Sequence, residues 1–360
     1  MSPWCGQGRE IHVQEVALRD GLQSEAGFVP TGKKIELVDQ LTACGLGKIE
    51  VSSFVSPRAV PPLADAEAVF RGITRRPGVI YAALAPNVRG MERAIAARAD
   101  EVNLVMSASE SHNRANLRMS GEASFRAIKE AAALAAPAGM RVAASLSCSF
   151  GCPFEGEIPA ATILMWCRRL QEEAGIRSIS LCDTTGMAYP ALVRDLVGLV
   201  RQSSPEANLT LHFHNTRGLG LANVFAGLDA GVIHFDAALA GIGGCPYAPG
   251  ATGNICTEDL IHALEVSGYR CGVDLDALIE TAGDLEKLLG HTTPGQVMKA
   301  GRRLRGHLAD PHVPVDQKPI SDGLAIAPRD AEVPCFPTVI PPPRVEARLG
   351  SSEPAQPSSL

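Results

Sequence analysis

Eight short apolar runs rich in β-branched residues recur along the chain, at 11–18, 48–52, 79–84, 101–106, 141–147, 178–182, 209–213 and 234–239. Segments of helical period separate them, at 33–43, 64–71, 89–97, 125–136, 161–174, 191–201 and 222–230, with one more at 257–265. Strict alternation of strand and helix implies parallel pairing through right-handed crossovers, because each helix must carry the chain back to the edge where its strand began. Eight such units exceed what an open doubly wound sheet normally holds and match a closed (β/α)8 TIM barrel. The expected organisation is a lead at 1–10, a barrel at 11–305 and a tail at 306–360. The tail is dense in Pro and Ser, with Pro341-Pro342-Pro343, and such a composition buries too little apolar surface to offset its ordering entropy. It is expected to be disordered, with 302–308 finishing a last helix before it. Its final Ser358-Ser359-Leu360 is a chance likeness to a peroxisomal address.

Composition narrows the partners. With 46% hydrophobic and 20% charged residues, 360 residues can bury a substantial core. A net charge of -6 with scattered Lys and Arg argues against nucleic acid. No stretch approaches the roughly 18 apolar residues that cross a bilayer, so no membrane role is expected. Ten cysteines without an apolar signal segment after Met1 read as reduced thiols in the cytoplasm.

In barrel enzymes the chemistry sits where strands end at their carboxyl side. Run 1 ends in Arg19-Asp20-Gly21, run 2 carries Glu50, run 6 ends in Asp183-Thr184, run 7 ends in His212-Phe213-His214, and Asn254 follows run 8. Two histidines two apart on a strand share a face and offer metal-ligand geometry. Each feature has a plainer explanation: HxH pairs occur in cores, Glu50 or Asp183 could cap a helix, and Arg19-Asp20 could be a solvated pair. Their coincidence at one rim favours a site. Imidazoles with a carboxylate and a carboxamide suit Mg2+ or Mn2+ better than zinc, which more often takes thiolates, and no CxxC pair is present. Cys148 and Cys152 are read as structural thiols.

The segment 241–254, Gly-Ile-Gly-Gly-Cys-Pro-Tyr-Ala-Pro-Gly-Ala-Thr-Gly-Asn, is incompatible with helix or strand and reads as a mobile loop at the same rim. Cys245 rides on it. A thiol with a pKa near about 8.5 is mostly protonated at neutral pH and can deliver a proton to a carbanion. A small buried residue in a phosphate-cradling turn is the alternative, although neither GxGxxG nor GK[ST] occurs there.

These residues closely resemble the 3-hydroxy-3-methylglutaryl-CoA lyase family of metal-dependent TIM-barrel lyases and synthases, also described as pyruvate carboxyltransferase-like. The resemblance runs from Ile11 to Arg303 on four anchors: the stretch from Glu15 through Arg19-Asp20-Gly21 to Glu25, Ile49-Glu50-Val51-Ser52-Ser53-Phe54-Val55-Ser56-Pro57, Ser147-Cys148-Ser149-Phe150-Gly151-Cys152-Pro153-Phe154-Glu155-Gly156, and the Cys245 loop. It implies an oxo-acid lyase that cleaves 3-hydroxy-3-methylglutaryl-CoA to acetyl-CoA and acetoacetate, as in leucine catabolism. It further implies a divalent metal held by Asp20, His212, His214 and Asn254, with Arg19 and Gln23 at the substrate and Arg19 beside the thioester carbonyl. Asp20 or His212 would be the base and Cys245 the loop proton donor, with Glu50 and Asp183 as further acids. An acyl-CoA partner and a homodimer are expected with the family.

Two departures stand out. Asn215 follows the HxH where some relatives carry Asp, and Gly295-Gln296-Val297-Met298-Lys299 with the long tail differs from the animal enzymes. Lys299, Arg302 and Arg303 could meet CoA phosphates or form a solvated basic face. Citramalyl-CoA would present the same carboxylate, tertiary hydroxyl and thioester, so a sister lyase is the main alternative. A condensing acyltransferase is disfavoured by Leu22 and the Gly-Gly-Cys-Pro loop, and a non-catalytic paralogue by the competent residues at each position.

Overall fold

The computed structural model describes residues 5–244 and 253–303. Eight parallel strands close into one barrel in chain order: β1 (His12–Glu15), β2 (Lys48–Ser53), β3 (Ile80–Ala85), β4 (Glu101–Ser107), β5 (Arg141–Ser147), β6 (Ser178–Asp183), β7 (Asn208–Phe213) and β8 (His234–Ala237). The first strand closes on the last, with His12 opposite His234 and Glu15 opposite Ala237. The TIM barrel expected from the alternation is the observed fold.

Helices α1 (Thr31–Ala43), α2 (Ala66–Gly72) and α3 (Val88–Ala96) follow the first three strands. The crossover after β4 uses two, α4 (Glu110–Leu117) and α5 (Gly121–Ala135), because Arg118 adopts a left-handed conformation (φ 57°) that ends α4 and Ser120 caps α5 through the Ala123 amide. Helices α6 (Ala160–Glu172), α7 (Pro190–Ser203), α8 (Gly220–Asp229) and α9 (Thr257–Val266) complete the ring, and α10 (Leu275–Leu289) and α11 (Val297–Ala300) follow. The helix pattern had shown neither α4 nor α10, and Arg302 and Arg303 are not helical. The remainder of the expected last helix and the expected disordered tail lie outside the described residues.

Alternation along the strands divides the interior. In β7, Leu209, Leu211 and Phe213 are buried in the apolar layer shared with the helices, whereas His212 turns to the barrel axis. Among the described residues no helix is long and apolar enough to cross a membrane.

Two strands stop earlier than their apolar runs. The run 11–18 is strand only to Glu15, and Ala17–Gly21 coils into a π-helical turn whose amides at Arg19, Asp20 and Gly21 all point to the Val16 carbonyl. The run 234–239 is strand only to Ala237. One carboxylate explains both ends: buried Glu15 accepts from the amides of Ala17 (2.8 Å) and Leu239 (2.9 Å) and from the Thr257 hydroxyl (2.7 Å). Those amides are thus satisfied by a side chain rather than by a ladder, and the chain is released to turn over the barrel mouth.

Candidate active site

The π turn places Arg19 and Asp20 over the carboxyl ends of the strands. Arg19 forks between two acids, its Nε donating to Glu50 Oε2 at 2.6 Å and a terminal nitrogen to Asp20 Oδ1 at 2.7 Å. Glu50 is fully buried in β2 and also accepts from Asn103 Nδ2 at 3.2 Å, and Asn103 accepts from Ser145 Oγ at 3.0 Å. Burial alone would weaken the Arg19 charge, but the charges of Glu50 and Asp20 outweigh it and keep the guanidinium firmly protonated.

Across from Arg19, Asp20 Oδ2 lies 3.8 Å from His212 Nε2 and 3.7 Å from His214 Nε2, and the two imidazole nitrogens are 3.1 Å apart. All three side chains are buried. A carboxylate oxygen and two imidazole nitrogens thus face one shared space. Among the described residues it is the one group of three acidic, histidine or thiol side chains close enough to share a metal ion. Desolvation would raise the Asp20 carboxyl, yet Arg19, the His214 hydrogen bond and the imidazole charges hold it far below the usual carboxylate range. It therefore presents a carboxylate at every working pH.

The two histidines differ. Burial disfavours charge on both, but His212 Nδ1 lies 3.2 Å from Asp236 Oδ2, and that hydrogen bond and the charges of Asp20 and Asp236 shift its pKa up. His214 Nδ1 has no partner among the described residues, and burial together with the His212 charge shifts its pKa down against the Asp20 hydrogen bond. A proton on His212 Nδ1 facing Asp236 leaves Nε2 free to ligate.

Asn254 arrives from the far side of the 245–252 segment, pairing with His214 across an isolated bridge. Its Nδ2 donates to Asp20 Oδ2 at 2.8 Å and to the Ile242 carbonyl at 3.1 Å, while its Oδ1 is buried and unpaired among the described residues. Close backbone packing holds it there: a Cβ on Gly253 would stand 2.3 Å from the Gly241 carbonyl oxygen. Gln23 donates to Asp20 Oδ1 at 2.8 Å. Asp183 ends β6 with Oδ1 accepting from the Met187 amide at 2.6 Å, and its buried Oδ2 is unpaired among the described residues. Desolvation pushes its carboxyl up to about 6 against that hydrogen bond.

The structure thus assembles Arg19, Asp20, Gln23, Glu50, Asp183, His212, His214 and Asn254 at one end of the barrel. Cys245 lies outside the described residues. Cys148 and Cys152 are buried. The sequence reading missed Asp236, which backs His212; an acid inside the apolar strand His-Phe-Asp-Ala was the available signal. It also passed over Glu15, Asn103 and Ser145.

A closed eight-stranded barrel with a buried carboxylate and two histidines beside a paired arginine defines a metal-competent TIM-barrel protein. The HMGL-like family model matches residues 10–285. The chain belongs to this hydroxymethylglutaryl-CoA lyase family. It is 41% identical over 296 residues to the mitochondrial hydroxymethylglutaryl-CoA lyase of Gallus gallus, covering 82% of this chain and 99% of that protein. The Bacillus subtilis hydroxymethylglutaryl-CoA lyase is 40% identical over 291 residues, covering 80% and 96%. Among solved structures, an HMG-CoA lyase from Acinetobacter baumannii in complex with coenzyme A and 3-methylmalate is 50% identical with a TM-score of 0.79, covering 82% of this chain and 97% of that one.

Proposed function

We propose that this protein is a divalent-metal-dependent carbon–carbon lyase that cleaves 3-hydroxy-3-methylglutaryl-CoA to acetyl-CoA and acetoacetate. The observation that carries the reading is the convergence of Asp20, His212 and His214 beside Arg19 in a chain of this family. Asp20, His212 and His214 would hold the metal, joined by Asn254 after a half-turn of its amide exchanges Nδ2 for Oδ1. The mixed nitrogen and oxygen set suits Mg2+ or Mn2+. The chemistry such a cation would supply when bound is acidification of the substrate's tertiary hydroxyl.

The residues of the chain divide the remaining work. Asp20 or His212 takes the hydroxyl proton, and the electrons of the breaking C2–C3 bond pass to the thioester as an enolate. Arg19, immobilised by Glu50 and Asp20, offers a fixed positive charge to the enolate oxygen, which requires no reorganisation as charge develops. Cys245 then protonates the enolate carbon to give acetyl-CoA. Asp183, with an unpaired oxygen and a raised pKa, is the further acid at the rim. Gln23 steadies Asp20 and lies at the substrate side. The barrel of 11–305, a homodimer and a reducing cytoplasm complete the reading.

A second reading keeps the chemistry and changes the acyl group. The Acinetobacter baumannii relative was solved in complex with coenzyme A and 3-methylmalate, a hydroxy diacid, and citramalyl-CoA carries the same reacting groups as the first substrate. Metal-stripped protein should be assayed with each thioester, with and without Mg2+ or Mn2+. Metal-dependent acetoacetate from 3-hydroxy-3-methylglutaryl-CoA supports the first reading, pyruvate from citramalyl-CoA alone supports the second, and cleavage of neither overturns both.

A further inference from the structure

A chain of hydrogen bonds runs behind Arg19 through three strands. Arg19 Nε donates to Glu50 Oε2 at 2.6 Å, Glu50 Oε1 accepts from Asn103 Nδ2 at 3.2 Å, and Asn103 Oδ1 accepts from Ser145 Oγ at 3.0 Å. Glu50, Asn103 and Ser145 are all buried. The direction of the chain is set from the charged end. An ionised carboxylate only accepts, so Asn103 must turn its NH2 group to Glu50, and its carbonyl oxygen is left to face the Ser145 hydroxyl, which donates.

The link from Asn103 to Glu50 is not a contact between neighbouring strands. β3 runs between β2 and β4, so the two backbones stand about 10 Å apart. Ala82, the β3 residue paired with Glu50, is fully buried yet stands outside the apolar layer that takes Tyr81, Ala83 and Ala85. By alternation it faces the barrel interior, and its single methyl leaves the Asn103 amide room to cross. A polar side chain on β4 and a short one on β3 thus combine to give Glu50 its second bond.

The consequence for Arg19 is geometric. Held by Arg19 alone, the Glu50 carboxylate turns about its last torsion, which is soft. A second donor on Oε1 fixes its plane, and with it the direction in which Oε2 holds Arg19 Nε. Arg19 is then constrained both at Nε and at the terminal nitrogen that donates to Asp20. Its other terminal nitrogen makes no hydrogen bond among the described residues, and the side chain keeps 12% exposure. That nitrogen is the donor left for an arriving oxygen.

We propose that Asn103, backed by Ser145, is a positioning residue: it locks the Glu50 carboxylate and so aims the uncommitted terminal nitrogen of Arg19 at the thioester oxygen on which charge develops. The catalytic half of this inference rests on the lyase reading; the positioning of Arg19 does not.

Exchange of the Arg19 Nε–H with solvent tests the positioning without turnover. It is followed by NMR of isotopically labelled arginines in the full chain at fixed Mg2+, the signal being identified by its absence from Arg19→Lys. Asn103→Leu, close in size, should speed that exchange by about 10-fold, and Ser145→Ala, which leaves Asn103 in place, by about 3-fold. The Nε–H of Arg93, which donates to Glu67 at 2.6 Å, should not change, whereas a general loosening of the barrel would move both. In a parent that cleaves a thioester, Asn103→Leu should lower kcat by about 10-fold with KM within about 2-fold, and should add almost nothing to the loss in Arg19→Lys. Unchanged Arg19 exchange in both variants, or equal acceleration at Arg93, overturns the positioning. A full multiplicative loss on top of Arg19→Lys overturns the action through Arg19. A parent that cleaves neither thioester overturns the lyase reading instead, and the exchange rates still decide whether Asn103 positions Arg19.

Discussion

His212 Nδ1 lies 3.2 Å from Asp236 Oδ2, and this contact turns the other ring nitrogen of His212 toward Asp20. Groups that orient a metal-bound imidazole typically contribute about 10–100-fold to metal affinity. Asp236→Asn should therefore weaken Mg2+ or Mn2+ binding by that factor while the fold is retained. Titration of the stripped protein by calorimetry checks this, and an unchanged affinity would remove Asp236 from the metal site.

Arg19 reaches two carboxylates at once through the fork of its guanidinium. Lysine is a point charge on a flexible stem and cannot hold both. Arg19→Lys should lower kcat by about 10²–10³ if the fixed charge serves the enolate. A loss confined to KM would show that Arg19 only binds the thioester.

Asp20 is central to the trio and cannot be replaced by a neutral group without removing its only carboxylate. Asp20→Asn should abolish metal-dependent cleavage by about 10³-fold or more. Steady-state assays across a Mg2+ series decide it: recovery at high metal would mean that Asp20 is a ligand alone and not also the base.

Cys245→Ala should depress turnover far more than substrate or metal binding, because a proton donor acts in the reaction and not in the ground state. Equal kcat in the variant would take the thiol out of the mechanism.

Glu258 is fully buried in α9, and desolvation lifts its carboxyl to about 7 against the Ala240 amide that it accepts at 3.0 Å. Its folded-state pKa exceeds the ordinary 4.5, so the folded protein holds more protons than the unfolded chain between these values. Stability contributed by this group is thus complete below about 4.5 and declines as pH rises toward about 7. Glu258→Gln should flatten part of that decline in urea unfolding measured at pH 5 and pH 7.5. An identical slope in the variant would show that another buried acid carries it, with Glu15, also lifted to about 7, the first to examine.

Local pattern carried most of the barrel. The runs at 141–147 and 178–182 were legible as strands because period and β-branching report on each residue's immediate neighbours, and the rim residues followed from where those runs end. The same local signal failed at both ends of the closure. Residues 16–18 are as apolar as a strand, yet Glu15 draws the Ala17 amide away from the ladder, and Glu15 takes the Leu239 amide from 224 positions along the chain.

Sequence by itself determined the fold class, the residue types at the mouth and the family, since these rest on period, order and motif. Only the closed barrel decided that Asp20 meets Asn254 across 234 positions, that Asp236 stands behind His212, and that Asn103 reaches Glu50 past β3. Such contacts depend on which interior positions of different strands reach the same height. Strand tilt and register set that height, and no window along the chain contains them.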